Sequence, residues 1–225
     1  MLQASVTLRC SEFSGFRIKD DTFQMNSPIA VKGFEIFKGF LGRASCEALV
    51  EDLRAVVKDA PLRQPVTPSG KPMSVRMSAA GRLGWVTDRR GYRYAPQQPS
   101  GAWGRGVPDR VWDIWREVSG VERLPDSCLI NHYGEGARMG MHQDKDEGAF
   151  DWPVVSVSLG DDGLFRMGNV ARGGKTESIW LQSGDVVVMG GAARLAHHGV
   201  DRIRFGSSAL LTGGGRLNLT LRVVV

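Results

Sequence analysis

The sequence predicts a mainly β chain with flanking helices, an α+β fold built on a jelly roll or barrel. Three observations predict it. After residue 125 the hydrophobic period is two, in CLINHY (128–133), VVSVSLG (154–160), SIWLQ (178–182), DVVVMG (185–190) and RLNLTLRVVV (216–225). Gly and Asp punctuate these runs without long helices between them. Finally, no alternation of strand and helix appears, which disfavours a parallel α/β sheet.

The helical periods lie earlier in the chain. In residues 45–60, Leu49, Leu53, Val56 and Val57 fall at i, i+4, i+7 and i+8, with Ser45 placed to cap the start and Pro61 to end the helix. In residues 108–119, Val111, Trp115 and Val118 share a face, between Pro108 near the start and Gly120 just past the end. The Gly-, Pro- and Arg-rich stretch between the two helices reads as short strands and loops. Residues 1–30 show no clear period. The expected organisation is one compact catalytic domain: an N-terminal extension of unknown role (1–33), a helical and lid-forming region (34–125) and a β core (126–225).

A chain of 225 residues can bury a sizeable core. No run approaches the roughly 18 apolar residues of a membrane helix, and the start shows no basic stretch followed by an apolar one, so no secretory signal or membrane partner is expected. Cys10, Cys46 and Cys128 are odd in number and far apart, which fits neither a disulfide framework nor a zinc finger. A reducing cytoplasm fits best, and a monomer is expected. The net charge of +5 is unevenly placed. Between Pro61 and Tyr94 stand Arg63, Lys71, Arg76, Arg82, Arg89, Arg90 and Arg93 against Asp88 alone. That segment carries the whole excess, as a surface that neutralises phosphates would.

The strongest chemical signal is His142-Gln143-Asp144 with a later histidine. On a strand, His142 and Asp144 point to one face. Two imidazoles and a carboxylate can fill three adjacent corners of an iron(II) octahedron and leave three open. Zinc hydrolases use the same donor types, so the set does not choose the metal. His197 and His198 are neighbours that face opposite ways on a strand, and spacing leaves both open as the second imidazole.

In the last strand Arg216, Asn218, Thr220 and Arg222 share one face, and Leu217, Leu219 and Leu221 the other. Such a pattern usually marks an edge strand whose polar face meets water. Here that face is also rich in groups that grip carboxylates, arginine above all. Asn131 and Tyr133 share another strand face, and each can donate to a carboxylate oxygen. Trp85, Tyr92 and Tyr94 lie within the basic segment, where rings suit base stacking beside phosphate contacts.

Taken together, these residues resemble the AlkB family of oxidative dealkylation repair enzymes. The resemblance runs from about Phe34 to Val225, through PVTPSGKPMSVRM (65–77), RLGWVTDRRGYRY (82–94), DSCLINHYGEGARMGMHQDKDE (126–147), PVVSVSLG (153–160), GDVVVMGGAARLAHHGV (184–200) and RLNLTLR (216–222). The hallmarks, HxD, a later His before Gly and Arg-x5-Arg, are present in order. It implies a double-stranded β-helix, a jelly roll, with a nucleotide-recognition lid built from the preceding segment. It implies iron(II) on His142, Asp144 and His198, with O2 as co-reactant. It implies 2-oxoglutarate on Asn131, Tyr133, Arg216, Asn218 and Arg222, with Arg216 and Tyr133 at the distal carboxylate. Trp85 and His142 would stack on a flipped base and Asp146 would meet its edge; a methylated base is cationic, and Glu147 beside Asp146 is a second carboxylate that suits it. Thr67, Met73, Met77 and Tyr92 would belong to the lid. The implied activity is oxidative demethylation of 1-methyladenine- or 3-methylcytosine-type lesions in DNA, single-stranded by preference, with RNA or a non-nucleic-acid substrate as the alternative. Two departures stand out: Met189 where the founding member carries tryptophan, and residues 161–177, which match poorly.

Overall fold

The computed structural model describes residues 23–24, 26–98, 101–103 and 106–225. In chain order the first elements are β1 (Ile29–Val31), β2 (Phe34–Phe37), α1 (Arg43–Asp59), β3 (Arg76–Gly81), β4 (Gly84–Asp88), β5 (Gly91–Ala95), β6 (Gln97–Gln98), β7 (Gly101–Ala102) and α2 (Asp109–Val118). Then come β8 (Ser127–Tyr133), β9 (Met139–His142), β10 (Val154–Gly160), β11 (Asp162–Met167), β12 (Glu177–Leu181), β13 (Val186–Met189), β14 (His198–Arg204) and β15 (Arg216–Arg222). A major sheet runs β1-β2-β13-β10-β15-β8-β3, and a minor sheet runs β12-β11-β14-β9. Their strand pairs are antiparallel. The two sheets face each other as a jelly roll, and β4 with β5 forms a separate hairpin.

Two apolar layers hold this arrangement. On the outer face of the major sheet, Leu49, Leu53 and Val56 of α1 and Val111, Ile114 and Trp115 of α2 pack with Ile130, Val155, Val157, Leu217, Leu219 and Leu221. Between the sheets, Phe34, Met77, Leu129, Tyr133, Val187 and Met189 meet Phe165, Met167, Leu181 and Val200. β15 therefore has its leucines under the helices and its polar residues in the interior, and all seven of its residues are buried. It is a central strand between β10 and β8, not an edge strand wetted by solvent.

The five expected strands and both helices are present, with shifted ends. α1 begins at Arg43 with Gly42 as its cap, and Ser45 is buried within the first turn instead of capping it. The start is set by a tertiary tether: the Leu41 N–H donates to the Gly184 carbonyl (3.0 Å), and the chain turns helical directly after. The last strand ends at Arg222, where Asp126 takes over as acceptor for the N–H groups of Val224 (3.0 Å) and Val225 (3.2 Å). β11 arises within the poorly matching stretch 161–177, where Asp and Gly read locally as a turn. Asp161 is buried and accepts the N–H groups of Gly206 (2.9 Å), Ser208 (2.8 Å) and Gly215 (2.7 Å), which fixes the loop that delivers β15. Cys46 and Cys128 are buried and free; Cys10 and most of the 1–33 extension lie outside the described residues. Among the described residues no helix is long and apolar enough to cross a membrane.

The hairpin β4–β5 is seated by a glycine. A Cβ on Gly84 would lie 2.2 Å from the Trp103 ring, whose Nε1 donates to the Ala95 carbonyl (2.8 Å). The indole cannot swing aside without giving up that bond. Gly84→Ala is expected to cost about 1–3 kcal/mol through overpacking. At this chain length each kcal/mol lowers Tm by roughly 2–4 °C. A thermal melt monitored by circular dichroism checks this, and an unchanged Tm would contradict the close packing.

Candidate metal and cosubstrate site

A cavity of about 750 Å³ opens between the sheets. Its lining includes His142, Asp144 and His198, then Asn131, Tyr133, Arg216, Asn218 and Arg222, and at the mouth Met73, Met77, Trp85, Tyr92 and Asp146. Thr67 lies apart from these. It lines a neighbouring cavity of about 450 Å³, where Met77 and Trp85 are shared walls. Its hydroxyl accepts the Lys71 N–H (3.0 Å) within its own turn. Met189 is buried in the apolar layer between the sheets.

His142 ends β9 and His198 opens β14, and register pairs the two directly. Asp144 sits two residues past His142, just beyond the strand. One donor atom from each of the three lies within 4.8 Å of the others. Both imidazoles are oriented by main chain: His142 Nδ1 is 2.9 Å from the Gly140 carbonyl, and His198 Nδ1 is 3.0 Å from the Ala196 carbonyl. A carbonyl can only accept, so each Nδ1 carries the proton and each Nε2 presents a lone pair. Those Nε2 atoms are each 3.7 Å from an Asp144 oxygen. Burial pushes the His198 imidazole down to about 4, against the pull of Asp144, so it is neutral at physiological pH. Burial would raise Asp144, but Arg222 and the two imidazoles outweigh it and hold the carboxyl well below the usual range. His197 takes the other side, with Nδ1 3.1 Å from the Asn169 carbonyl.

The polar face of β15 lies beside this cluster. Register places Asn218 opposite Asn131 and Arg216 opposite Tyr133. Arg216 is fully buried and donates to neutral oxygens: Ser158 Oγ (2.6 Å), the Asp161 carbonyl (3.2 Å) and the Leu181 carbonyl (3.3 Å). Among the described residues no carboxylate forms an ion pair with it. Its guanidinium lies against Gly163, where a Cβ would approach Nε to 2.9 Å. A buried cation without an anion is costly. Arg216 Nε, Arg222 Nε, Arg222 Nη1 and Asn131 Oδ1 are also buried without a hydrogen-bond partner. Bound carboxylates would satisfy arginine donors of this kind.

Arg222 has different surroundings. Its Nη2 is 2.8 Å from Asp144 Oδ2, and its Nε is 3.1 Å from Glu147 Oε1. Glu147 is buried between Arg222, Arg194 and Tyr94 at the wall of the cavity, so it is not a carboxylate of a solvated loop. Tyr94 and Arg194 were not anticipated here. Tyr94 stands two residues after Tyr92 on β5 and shares its face, directly opposite Trp85, so spacing alone did not separate the roles of the two rings. Arg194 follows a short 3₁₀ turn, and no local pattern marks it. Over the mouth, Trp85 stacks on Tyr92 (ring centroids 5.3 Å apart, 15° between planes) and donates through Nε1 to Asp146 (2.8 Å).

Comparison with known proteins agrees with this geometry. The profile of the 2OG-Fe(II) oxygenase superfamily matches residues 33–222. The alpha-ketoglutarate-dependent dioxygenase AlkB homolog of Caulobacter vibrioides (strain NA1000 / CB15N) is 50% identical over 193 residues, covering 85% of this chain and 88% of that protein. The alpha-ketoglutarate-dependent dioxygenase AlkB of Escherichia coli (strain K12) is 38% identical over 208 residues, covering 90% and 94%. The solved structure of OsALKBH1 aligns with a TM-score of 0.69 at 30% identity, covering 89% of this chain and 99% of that one. Two imidazoles with a carboxylate suit iron(II), and a fully buried, uncompensated arginine suits a dicarboxylate. The chain belongs to the AlkB family within the 2OG-Fe(II) oxygenase superfamily.

Proposed function

We propose that this dioxygenase removes alkyl groups from 1-methyladenine- and 3-methylcytosine-type lesions in DNA, with single strands preferred. The observation that carries the reading is the Trp85–Tyr92–Asp146 group at the mouth of the cavity that holds His142, Asp144 and His198. Bound iron(II) and 2-oxoglutarate supply, with O2, the oxidation of the N-alkyl carbon, from which formaldehyde, succinate and carbon dioxide result.

The chain's own residues do the rest. His142 and His198 offer Nε2 lone pairs, and Asp144 a carboxylate, as metal ligands. Arg216, with Tyr133 beside it, receives the distal carboxylate of 2-oxoglutarate in a dry pocket. Arg222, Asn131 and Asn218 hold the end nearer the metal. A base inside a duplex cannot reach this depth, so it enters flipped or from a single strand, at a cost of a few kcal/mol that a badly paired lesion reduces. Trp85 and His142 give it stacking surfaces, and Thr67, Met73, Met77 and Tyr92 shape the recognition lid, with Tyr92 toward a phosphate. Methylation at N1 of adenine or N3 of cytosine makes the base cationic. The exposed carboxylate of Asp146, held by Trp85, favours that form over a neutral base.

The first test is a coupled formaldehyde and succinate assay with iron(II), ascorbate and 2-oxoglutarate on single-stranded DNA carrying 1-methyladenine or 3-methylcytosine. An RNA oligonucleotide of the same sequence runs alongside. Formaldehyde should match repaired base and vanish in His198→Ala. Succinate without formaldehyde on either oligonucleotide would reject the nucleic-acid reading and leave the oxygenase. A second test uses Asp146→Ala. Loss of a charge-assisted contact of about 1.5–3 kcal/mol should cut discrimination for cationic over neutral bases roughly tenfold to a hundredfold. Succinate formation without substrate should change far less, and an equal loss of both would refute the role.

A further inference from the structure

Glu147 follows Asp144 by three residues, yet its side chain is 1% exposed. It gathers donors from three parts of the fold. The Tyr94 hydroxyl of β5 donates to Oε1 (2.8 Å), Arg194 Nη2 to Oε2 (3.2 Å), and Arg222 Nε lies 3.1 Å from Oε1. Arg194 is itself fixed, through Nη1 to the Asp144 carbonyl (2.8 Å) and Nε to the Trp152 carbonyl (2.7 Å). Two carboxylates and two guanidiniums balance in charge, which makes so dense a buried group tolerable.

The consequence falls on Arg222. A guanidinium is a rigid planar fork. Left to itself beside one carboxylate, it turns two nitrogens onto that carboxylate. Here Glu147 Oε1 draws the Nε side as an ion pair (3.1 Å) and Asp144 the Nη2 side (2.8 Å), while Nε and Nη1 both lie buried without a hydrogen-bond partner and Nη1 faces no carboxylate. We propose that Glu147 is a positioning residue for the cosubstrate: it stops Arg222 from closing as a fork on Asp144 and so keeps Nη1 free for the 2-oxoglutarate carboxylate. This rests on the assignment of Arg222 to 2-oxoglutarate made above. Tyr94 carries the arrangement outward. Its hydroxyl is the direct link between the recognition hairpin and Glu147, so the seat of β5 bears on Arg222 with one side chain between them.

The test measures 2-oxoglutarate binding to Mn(II)-loaded protein by titration calorimetry, with no nucleic acid present. Failure of methylated DNA as a substrate therefore leaves its outcome untouched. Glu147→Gln keeps the shape and removes the charge, and should weaken 2-oxoglutarate about tenfold, the scale of one charge-assisted bond. Tyr94→Phe removes one hydroxyl, and should weaken it about threefold. In an Arg222→Lys background, Glu147→Gln should add less than about twofold, because residues acting through one another are not additive. Should Glu147→Gln fail to fold, as judged by near-ultraviolet circular dichroism, Tyr94→Phe decides alone. Affinity for 2-oxoglutarate within about twofold of the parent in the folded variants would overturn the proposal. So would fully additive losses with Arg222→Lys.

Discussion

Strand β15 is buried on both faces, and the two faces answer to different physics. Leu217, Leu219 and Leu221 lie under α1 and α2 in the larger apolar layer. Removing apolar surface from water at about 25 cal/mol per Å² is the main favourable contribution available to such a layer. The opposite face puts Arg216, Asn218, Thr220 and Arg222 into the interior, where each must find a partner or remain costly. Asn218 donates to Ser156 Oγ (2.7 Å), and Thr220 donates to Asn218 (3.2 Å), so the middle of the seam satisfies itself. The helices that cover the leucines allow the sandwich to tolerate a polar seam at its centre. Both arginines of the proposed cosubstrate site lie on that seam.

The two ends of the seam have opposite electrostatic surroundings. Arg216 has neutral oxygens around it, while Arg222 sits between Asp144 and Glu147. On a straight strand they stand roughly 20 Å apart, too far for one small molecule to bridge both guanidiniums fully extended. A dicarboxylate therefore meets the ends unequally. The uncompensated end can take a full anionic charge, and the compensated end can add one directed hydrogen bond beside the metal ligands. Direction along the cavity follows from this asymmetry, without any difference in the arginines themselves.

The hairpin β4–β5 closes over the same cavity through one face, on which Trp85 and Tyr94 stand directly opposite each other. Trp85 reaches Asp146 and Tyr94 reaches Glu147, two neighbouring carboxylates just past the metal-ligating Asp144. One of them is exposed at the mouth, and the other is sealed inside. The loop after β9 thus joins three tasks within four residues: a metal ligand, a contact at the mouth and a buried support. A change in the seat of the hairpin is felt at each of them.

Much of this was legible in the chain itself. Period-two runs marked five of the strands, strict alternation marked both faces of β15, and HxD with a later His-Gly and Arg-x5-Arg marked the donors, because local spacing decides which side chains share a face. Burial was not legible. Alternation reads alike whether the polar face meets water or an enclosed cavity, and the packing of α1, α2 and the minor sheet decided it for β15. Gly163 falls in the poorly matching stretch 161–177, and a local pattern cannot register that the Arg216 side chain, 53 residues later, lies against it. Adjacent Asp146 and Glu147 look interchangeable in sequence. Their different environments come from the indole of Trp85 on one side and from Arg194, Arg222 and Tyr94 on the other, partners 47 to 75 residues away that only the folded chain brings within reach.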